Sequence, residues 1–193
     1  MVLNAENTSM MRAGVVSTPP SVSAAGKINA VAPVTIGTAG NAFTCLRGEQ
    51  TQVYANTGLD MVTFMHRNNQ TIYGGSSGNL RYDVSIDGGA SWSSDIGPLN
   101  PTLTLPARYP NGAFYNETPS NTNPLNAKFV GVVPTLNGSA WDGHVDITSS
   151  ISTTSTTVSC EVYNFGGTGT YLPGGLCEGL PGEFWAVDAA WTG

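Results

Sequence analysis

An alternating stretch that runs into two adjacent glycines is the strongest constraint on the fold of this chain. In "NLRYDVSID", residues 79–87, apolar side chains from Leu80 to Ile86 alternate with polar ones, which is the period of a β-strand. Gly88 and Gly89 follow after Asp87 and supply the positive φ angles that a tight hairpin requires. The stretch therefore predicts a strand that turns back on itself, as in an antiparallel sheet.

Similar patterns recur along the chain. "LDMVTFMH", residues 59–66, is apolar on both faces and predicts a strand that is covered on both sides. No window of helical length keeps an amphipathic 3.6-residue period. Further predicted strands, separated by clusters of Gly, Pro and Asn, are "AKFVGVV" (127–133), "GHVDITSS" (143–150), "TTVSCEVYNF" (156–165) and "EFWAVDAAW" (183–191). The expected fold class is all-β, as a sandwich, barrel or propeller.

Composition and charge exclude two classes of partner. The 193 residues suffice for one domain with a sizeable core, and the 24 glycines with only 10% charged residues favour turns and half-exposed strands. The seven Lys and Arg residues are scattered and the net charge is -6, so no basic surface for nucleic acid is predicted. No apolar run approaches the roughly 18 residues of a membrane span, and no membrane insertion is predicted.

Residues 1–33 lack periodicity and are predicted to form a flexible leader. The segment from Val2 to Ala5 fits the tail of a signal peptide, although a complete signal is not present. The three cysteines fit no closely spaced metal motif. Two alternatives stay open for them, a disulfide between Cys160 and Cys177 in an exported chain, or buried free thiols.

The eight residues "SIDGGASW" predict a turn that stabilises itself. The Asp87 carboxylate can accept hydrogen bonds from backbone amides of the turn, and Ser85 lies on the same strand face and can join it. Trp92 follows the turn and can pack its ring over the hairpin. Such a turn needs no ligand, so its residues indicate a structural role.

The pattern S-x-D-x-G-x-x-W, present as Ser85, Asp87, Gly89 and Trp92, resembles the Asp-box, or BNR repeat, of sialidases and related β-propellers. In that family the box lies on the turn between the third and fourth strands of a blade, remote from the active site. The resemblance therefore implies a sialidase-like β-propeller in which Ser85, Asp87, Gly88, Gly89 and Trp92 are structural.

The resemblance extends over roughly residues 34–147, with "GTAGNAFTCLRGEQTQVYANTGLDMVTFMHRNN" before the box and "ARYPNGAFYNETPSNTNPLNAKFVGVVPTLNGSAWDGHVD" after it. These stretches are similar to the amino-terminal part of large secreted Bacteroidetes proteins that bear a sialidase-like propeller and a type IX secretion sorting domain. The resemblance implies export to the cell surface or the medium. No metal and no cofactor are predicted from the sequence.

Size bears on the propeller expectation. A blade takes about 40 to 50 residues and a closed ring commonly needs four to eight blades. Residues 34–193 then correspond to about three or four blades, which predicts an incomplete propeller whose remaining blades belong to a longer protein. A small β-sandwich is the alternative fold.

A sialidase-type active site needs a cluster of arginines for the substrate carboxylate and a tyrosine nucleophile. The F/Y-R-I-P motif of that family is absent, and "ARYPNG" around Arg108 is the nearest match. We name Arg108, Tyr109 and Arg81 as candidate ligand contacts. The predicted function is a non-catalytic secreted or cell-surface module that binds glycan or protein. The alternative is a sialidase-type glycoside hydrolase whose catalytic residues lie partly outside this chain.

The histidines and tryptophans each allow a functional interpretation beside a structural one. "WDGHVD" places His144 and Asp146 on one strand face with Asp142 nearby, but this trio lacks a fourth metal ligand in sequence. His66 ends an apolar strand and is interpreted as a polar strand end rather than a base. The four tryptophans are expected to pack against strands, with sugar stacking as the alternative.

Overall fold

A computed structural model describes residues 33–41, 50–100, 106–164 and 172–187. The chain divides into two compact units, Met1–Val34 and Thr35–Gly193, and every helix and strand described below lies in the second. The predicted leader lies outside the described residues except for Pro33, and so do Cys45, Arg47 and Trp191.

The described residues form ten short strands, one α-helical turn and one 3-10 turn. The strands are β1 Val53–Asn56, β2 Met61–Arg67, β3 Leu80–Ser85, β4 Ser93–Ile96, β5 Asn111–Tyr115, β6 Lys128–Asn137, β7 Ala140–Ser150, β8 Val158–Asn164, β9 Leu176–Glu178 and β10 Phe184–Ala186. The helix α1 spans Gln70–Tyr73, and the 3-10 turn spans Pro124–Asn126. No helix in this part of the chain is long and apolar enough to span a membrane. The predicted all-β class is confirmed.

The strands form two four-stranded antiparallel sheets and a two-stranded ribbon. The first sheet has the order β1-β2-β3-β4 and the second has the order β5-β6-β7-β8, while β9 pairs with β10. Each four-stranded sheet is a meander in which every strand pairs with its neighbours in the chain. This topology fits a propeller blade and one layer of a sandwich alike.

The two four-stranded sheets contribute to one apolar core. The ring of Tyr82 in β3 stacks on that of Phe129 in β6, with centroids 5.2 Å apart, and Tyr54 in β1 meets Phe114 in β5 edge to face at 5.0 Å. Such aromatic pairs add to the stabilisation from buried area. The hydroxyl of Tyr82 donates to the carbonyl of Ser152 at 2.9 Å, which satisfies the polar end of a fully buried ring.

The opposite face of the first sheet is also covered, by residues 36–38. A Cβ added at Gly37 would lie 2.4 Å from a carboxylate oxygen of Asp83, so the backbone of this segment lies directly on β3. Thr38 donates its backbone N–H to Asp95 at 3.0 Å, and Ser94 donates its hydroxyl to the carbonyl of Ile36. In the strand predicted over residues 59–66, Met61, Thr63 and Met65 are buried on the core face, whereas Val62 and Phe64 on the opposite face are half-buried. That face is therefore covered only in part, because residues 36–38 contact β3 and β4.

Other predictions needed correction. Of the predicted strand 183–191 the structure describes residues 183–187, which form a strand at Phe184–Ala186. Trp185 in this strand is 64% exposed, so it is not the buried ring that was expected. Cys160 is half-buried, Cys177 is exposed and both are free thiols, so neither alternative for this pair is correct as stated. His66, interpreted as a polar strand end, is the penultimate residue of β2 and is only 1% exposed.

Candidate functional site

The turn over residues 85–92, whose motif resembles the Asp-box and which we call the Asp-box turn, joins β3 to β4, the third and fourth strands of the first sheet. Gly88 and Gly89 have φ angles of 68° and 96°, which side chains rarely tolerate. The hydroxyl of Ser85 donates to Asp87 at 2.8 Å and accepts from the N–H of Gly89 at 2.7 Å. The indole of half-buried Trp92 donates to the carbonyl of Gly89 at 3.2 Å, which ties the ring to the turn.

Asp87 receives further hydrogen bonds in this turn. Its carboxylate accepts from the N–H of Ser91 at 2.8 Å and from the hydroxyl of Ser91 at 2.5 Å. These bonds with Ser91, and that from Ser85, lower the pKa of Asp87 to about 2. Every polar atom named in this turn is bonded within the turn, so the box braces the β3–β4 connection and presents no ligand site.

Arg81, a candidate ligand contact, lies on the covered face of the first sheet. Its guanidinium donates to the side-chain oxygen of Asn68 at 2.7 Å and to the carbonyl of Asp95 at 2.6 Å, and it stacks 4.0 Å from the ring centre of Tyr73. Burial lowers its pKa, while Tyr73 and Asp95 oppose that shift. Arg81 and Tyr73 line a cavity of about 220 Å³.

Arg108 and Tyr109, the other two candidates, lie beside the second sheet. The backbone N–H of Arg108 donates to the carbonyl of Pro134 in β6 at 3.0 Å. Tyr109 has a φ of 44°, unusual for a residue with a side chain, and its ring lies 5.5 Å from that of Trp141 in β7. The structure therefore places Tyr109 in an aromatic pair that no sequence motif predicts.

Trp141 belongs to a larger surface on the second sheet, which we call the outer face. Pro134 pairs with His144 and Leu136 pairs with Trp141, and residues two apart on one strand point to the same side. Cross-strand partners lie on the same face, so Trp141 and His144 share the face of Leu136 and Pro134. Residues three apart on one strand normally point to opposite sides, and a bulge in β7 between Trp141 and His144 removes that difference. The outer face consists of Trp141, His144, Asp146, Glu161 and Tyr163, together with the Tyr109 ring stacked on Trp141.

The two adjacent strands bring four of these side chains together. His144 pairs directly with Tyr163, and their rings stack with centroids 5.0 Å apart. Asp146 pairs with Glu161, and the imidazole of His144 lies 3.6 Å from the carboxylate of Asp146. Burial raises the pKa of Asp146, with His144 acting against this shift and Glu161 adding to it. A pair of rings thus lies directly beside a pair of carboxylates on this face.

The outer face continues into a polar groove of about 350 Å³ at the far end of β7. Lys128 pairs with Ser150 and Thr148 pairs with Ser159, so these side chains lie on the same side of the sheet as Asp146. The distance from His144 to Ser150 along the strand is about 20 Å. The face therefore offers rings at one end, carboxylates in the middle and hydroxyls at the other end.

Sequence reasoning found part of this face. It placed His144 and Asp146 on one side of a strand, which the structure shows, but for Asp142 the structure describes no side chain. It did not identify Glu161 and Tyr163, whose period-2 spacing in "CEVYN" was the available signal. Their position beside Asp146 and His144 depends on the β7–β8 register, which no local pattern specifies.

Comparison of the chain with protein-family models, with curated proteins and with solved structures finds no match.

Proposed function

We propose that this chain is a non-catalytic, secreted or cell-surface glycan-binding module of the Asp-box β-propeller type, and that the outer face is its ligand surface. The observation that supports the proposal is the row of rings and carboxylates formed by Tyr109, Trp141, His144, Asp146 and Tyr163. The apolar face of a sugar ring stacks on aromatic side chains, and carboxylates accept hydrogen bonds from sugar hydroxyls.

The fold assignment is supported by the position of the box. In this chain the Asp-box motif lies on the turn from the third to the fourth strand of a four-stranded meander, where the resemblance places it in propeller blades. The second meander has the same strand order and packs on the first through the shared core. In the proposed propeller, the two sheets are adjacent blades, and further blades complete the ring.

The arrangement of the arginines favours binding over hydrolysis. Register pairs Arg67 with Leu80 and Arg81 with His66, so these two arginines point to opposite faces of the first sheet. Arg67 is bonded to Ser77 at 2.7 and 2.8 Å, and Arg81 is bonded within its own sheet. Within the described ranges no arginine cluster for a substrate carboxylate is formed, and such a cluster is what a sialidase requires.

A glycan array with the purified chain tests the proposal. We expect binding to a subset of glycans with no turnover of a fluorogenic sialoside. Tyr163→Ala is expected to weaken the affinity about 2- to 10-fold, because an aromatic contact contributes roughly 0.5 to 1.5 kcal/mol beyond area. Trp185→Ala is the matched control, since Trp185 is an exposed ring on the β9–β10 ribbon and is not one of the residues of the outer face, and the affinity should not change.

Two outcomes would contradict the proposal. A folded chain that binds no glycan would remove the outer face as a ligand surface. Hydrolysis of the sialoside that disappears in Arg108→Ala would instead assign the chain to the sialidase-type hydrolases.

Protein binding is the second candidate, and one observation favours it. Leu180, Trp185 and Val187 on the ribbon are 67%, 64% and 74% exposed, a set of apolar side chains of the kind that interfaces cover. If this surface docks on protein, whether a partner or another part of a longer chain, its apolar side chains are uncovered in the isolated chain and will cause self-association. Trp185→Ser will then reduce the self-association measured by light scattering, while glycan binding persists.

A further inference from the structure

Three side chains that can ligate a metal meet beneath the covering segment of the first sheet. His66 from β2, Asp83 from β3 and Asp95 from β4 are 1%, 0% and 8% exposed, and their ligand atoms lie within 4.8 Å of one another. Nε2 of His66 is 3.3 Å from Oδ1 of Asp83 and 3.7 Å from Oδ1 of Asp95. One imidazole nitrogen therefore faces two buried carboxylates.

The hydrogen bond of the other ring nitrogen, Nδ1, determines whether Nε2 of a neutral His66 bears a hydrogen. Nδ1 lies 3.0 Å from the carbonyl oxygen of Arg67, which can only accept, so Nδ1 bears a hydrogen and donates it. In a neutral imidazole, Nε2 would then present a lone pair to two carboxylate oxygens. Only a positive charge between these atoms makes the arrangement favourable.

The cluster also contains an unsatisfied group. Oδ2 of Asp83 is buried without a hydrogen-bond partner, while Oδ1 accepts from the N–H of Asp95 at 2.7 Å. A fully buried carboxylate oxygen with no partner is costly unless a ligand is bound to it. This oxygen is an independent indication that something further belongs in the cluster.

The two distances from Nε2 of His66 to the carboxylates are those expected between metal ligands. In a tetrahedral zinc site with bonds of about 2.0 to 2.2 Å, neighbouring ligand atoms are about 3.4 Å apart. The two distances from Nε2 of His66, 3.3 and 3.7 Å, bracket this value. An Nδ1–H bonded to a backbone carbonyl is also the usual outer contact that orients a metal-bound histidine.

Asp95 is held in place from several sides. Its carboxylate accepts from the N–H of Thr38 at 3.0 Å and from the hydroxyl of Tyr73 at 3.1 Å. The carboxylate of Asp95 is therefore already oriented for a cation.

We propose that His66, Asp83 and Asp95 bind one divalent transition-metal ion of the zinc type, through Nε2 of the histidine and one oxygen of each aspartate. The fourth position is filled by water or another small ligand. The ion neutralises two buried carboxylates and links three adjacent strands of the first sheet. This site is separate from the outer face of the second sheet and does not depend on its function.

Zinc titration of the chelator-treated full chain, by calorimetry and by metal analysis after dialysis, tests the proposal. The wild-type chain is expected to retain one equivalent of zinc and to show a melting temperature that rises with zinc concentration. His66→Gln should lose this equivalent. His144→Gln is the matched control, because His144 is the other histidine of the chain and also lies next to an aspartate, and it should retain zinc.

A second measurement keeps the test decisive if His66→Gln does not fold. In the wild-type chain, ¹⁵N shifts of His66 report whether Nε2 bears a proton. A metal-type Nε2 shift on adding zinc supports the proposal. An Nε2–H that persists in saturating zinc overturns it and assigns the positive charge to an imidazolium. Zinc retained in His66→Gln and lost in His144→Gln also overturns it, because the ion is then on the outer face.

Discussion

The two histidines of this chain each lie beside an aspartate, in two sheets of the same topology, yet in opposite environments. In the first sheet, His66 and Asp83 are 1% and 0% exposed at 3.3 Å, whereas in the second sheet His144 and Asp146 are 22% and 46% exposed at 3.6 Å. Both pairs lie on the face away from the shared core. The difference arises because residues 36–38 cover one sheet, while water reaches the other.

The comparison shows that strand order and polar pattern alone do not determine whether charges are buried. A buried pair must be compensated by further partners, and the first sheet provides Thr38, Tyr73 and the Asp95 backbone. In the second sheet Oδ1 of Asp146 is itself buried, but the Asp146 side chain as a whole is 46% exposed and remains available to a ligand. The histidine and aspartates of the first sheet therefore form a buried cluster that is closed to solvent. Those of the second sheet belong to a surface that a ligand can reach.

The largest expected effect on stability comes from removing the aspartate of the buried pair, and the half-exposed pair provides the comparison. Asp83→Ala leaves a buried histidine without its closest carboxylate and is expected to lower the free energy of unfolding by about 3 to 5 kcal/mol. Asp146→Ala breaks a half-exposed pair and should change it by less than about 0.5 kcal/mol. Chemical denaturation of both variants measures the difference. Equal effects would show that covering the first sheet has no energetic consequence.

The covering segment is the next test. In Gly37→Ala the new methyl group falls 2.4 Å from a buried oxygen of Asp83, so the segment must lift, and we expect a loss of about 1 to 3 kcal/mol. Gly58→Ala is the control, because its methyl group would meet only the side-chain oxygen of Asn56, at 3.2 Å. Thermal unfolding compares the two, and a Gly37→Ala variant as stable as the wild type would contradict the close cover.

A smaller effect is expected in the Asp-box turn. Ser85→Ala removes the hydroxyl that bonds Asp87 and the N–H of Gly89, and it leaves that amide without its partner. The expected loss is about 1 to 2 kcal/mol. Ser94→Ala, also next to the turn, removes one hydroxyl that bonds the carbonyl of Ile36 and serves as the comparison variant. If Ser85→Ala costs no more than Ser94→Ala, the box does not brace the turn.

The smallest effects are in the pH dependence, where two aspartates have opposite signs. The pKa of Asp87 is lowered from 3.8 to about 2 in the folded chain, so its contribution to stability is present above pH 4 and is lost as the pH falls toward 2. The pKa of Asp146 is raised, so folding favours its protonated form and stability decreases as the pH rises through its titration.

Acid unfolding curves of Asp87→Asn and Asp146→Asn check these signs. The first variant should flatten the loss of stability between pH 4 and 2, and the second should remove a loss at slightly higher pH. Carboxyl ¹³C titrations identify each group directly, and the same sign for both aspartates would be inconsistent with their environments.

Much of the first sheet is predictable because its signals are local. The alternation that ends at Ser85 and the glycines that follow specify a strand and its turn within about ten residues. The shorter strands β1, β4 and β5 contain Asn, Ser or Gly, and β9 has only three residues. These strands give no such signal, because their stability comes from pairing and not from propensity. The all-β class follows from the sequence, while the number and order of strands does not.

The candidate sites were less predictable for the same reason. His66, Asp83 and Asp95 come from three strands and meet only when the β2–β3–β4 register is formed. The cover that buries them comes from a residue 57 positions before Asp95. A single sequence contains no pattern at such separations, so an isolated histidine next to Arg67 could only be interpreted as a strand end.

The chain-order pairing of both sheets also affects how the molecule folds. Neighbouring strands close short loops, so each meander can form early at a small entropic cost. The contact between Thr38 and Asp95 closes a much longer loop. We therefore expect the backbone amides at residues 36–38 to gain protection from hydrogen exchange last. Until that step is complete, the side chains of His66, Asp83 and Asp95 should remain hydrated.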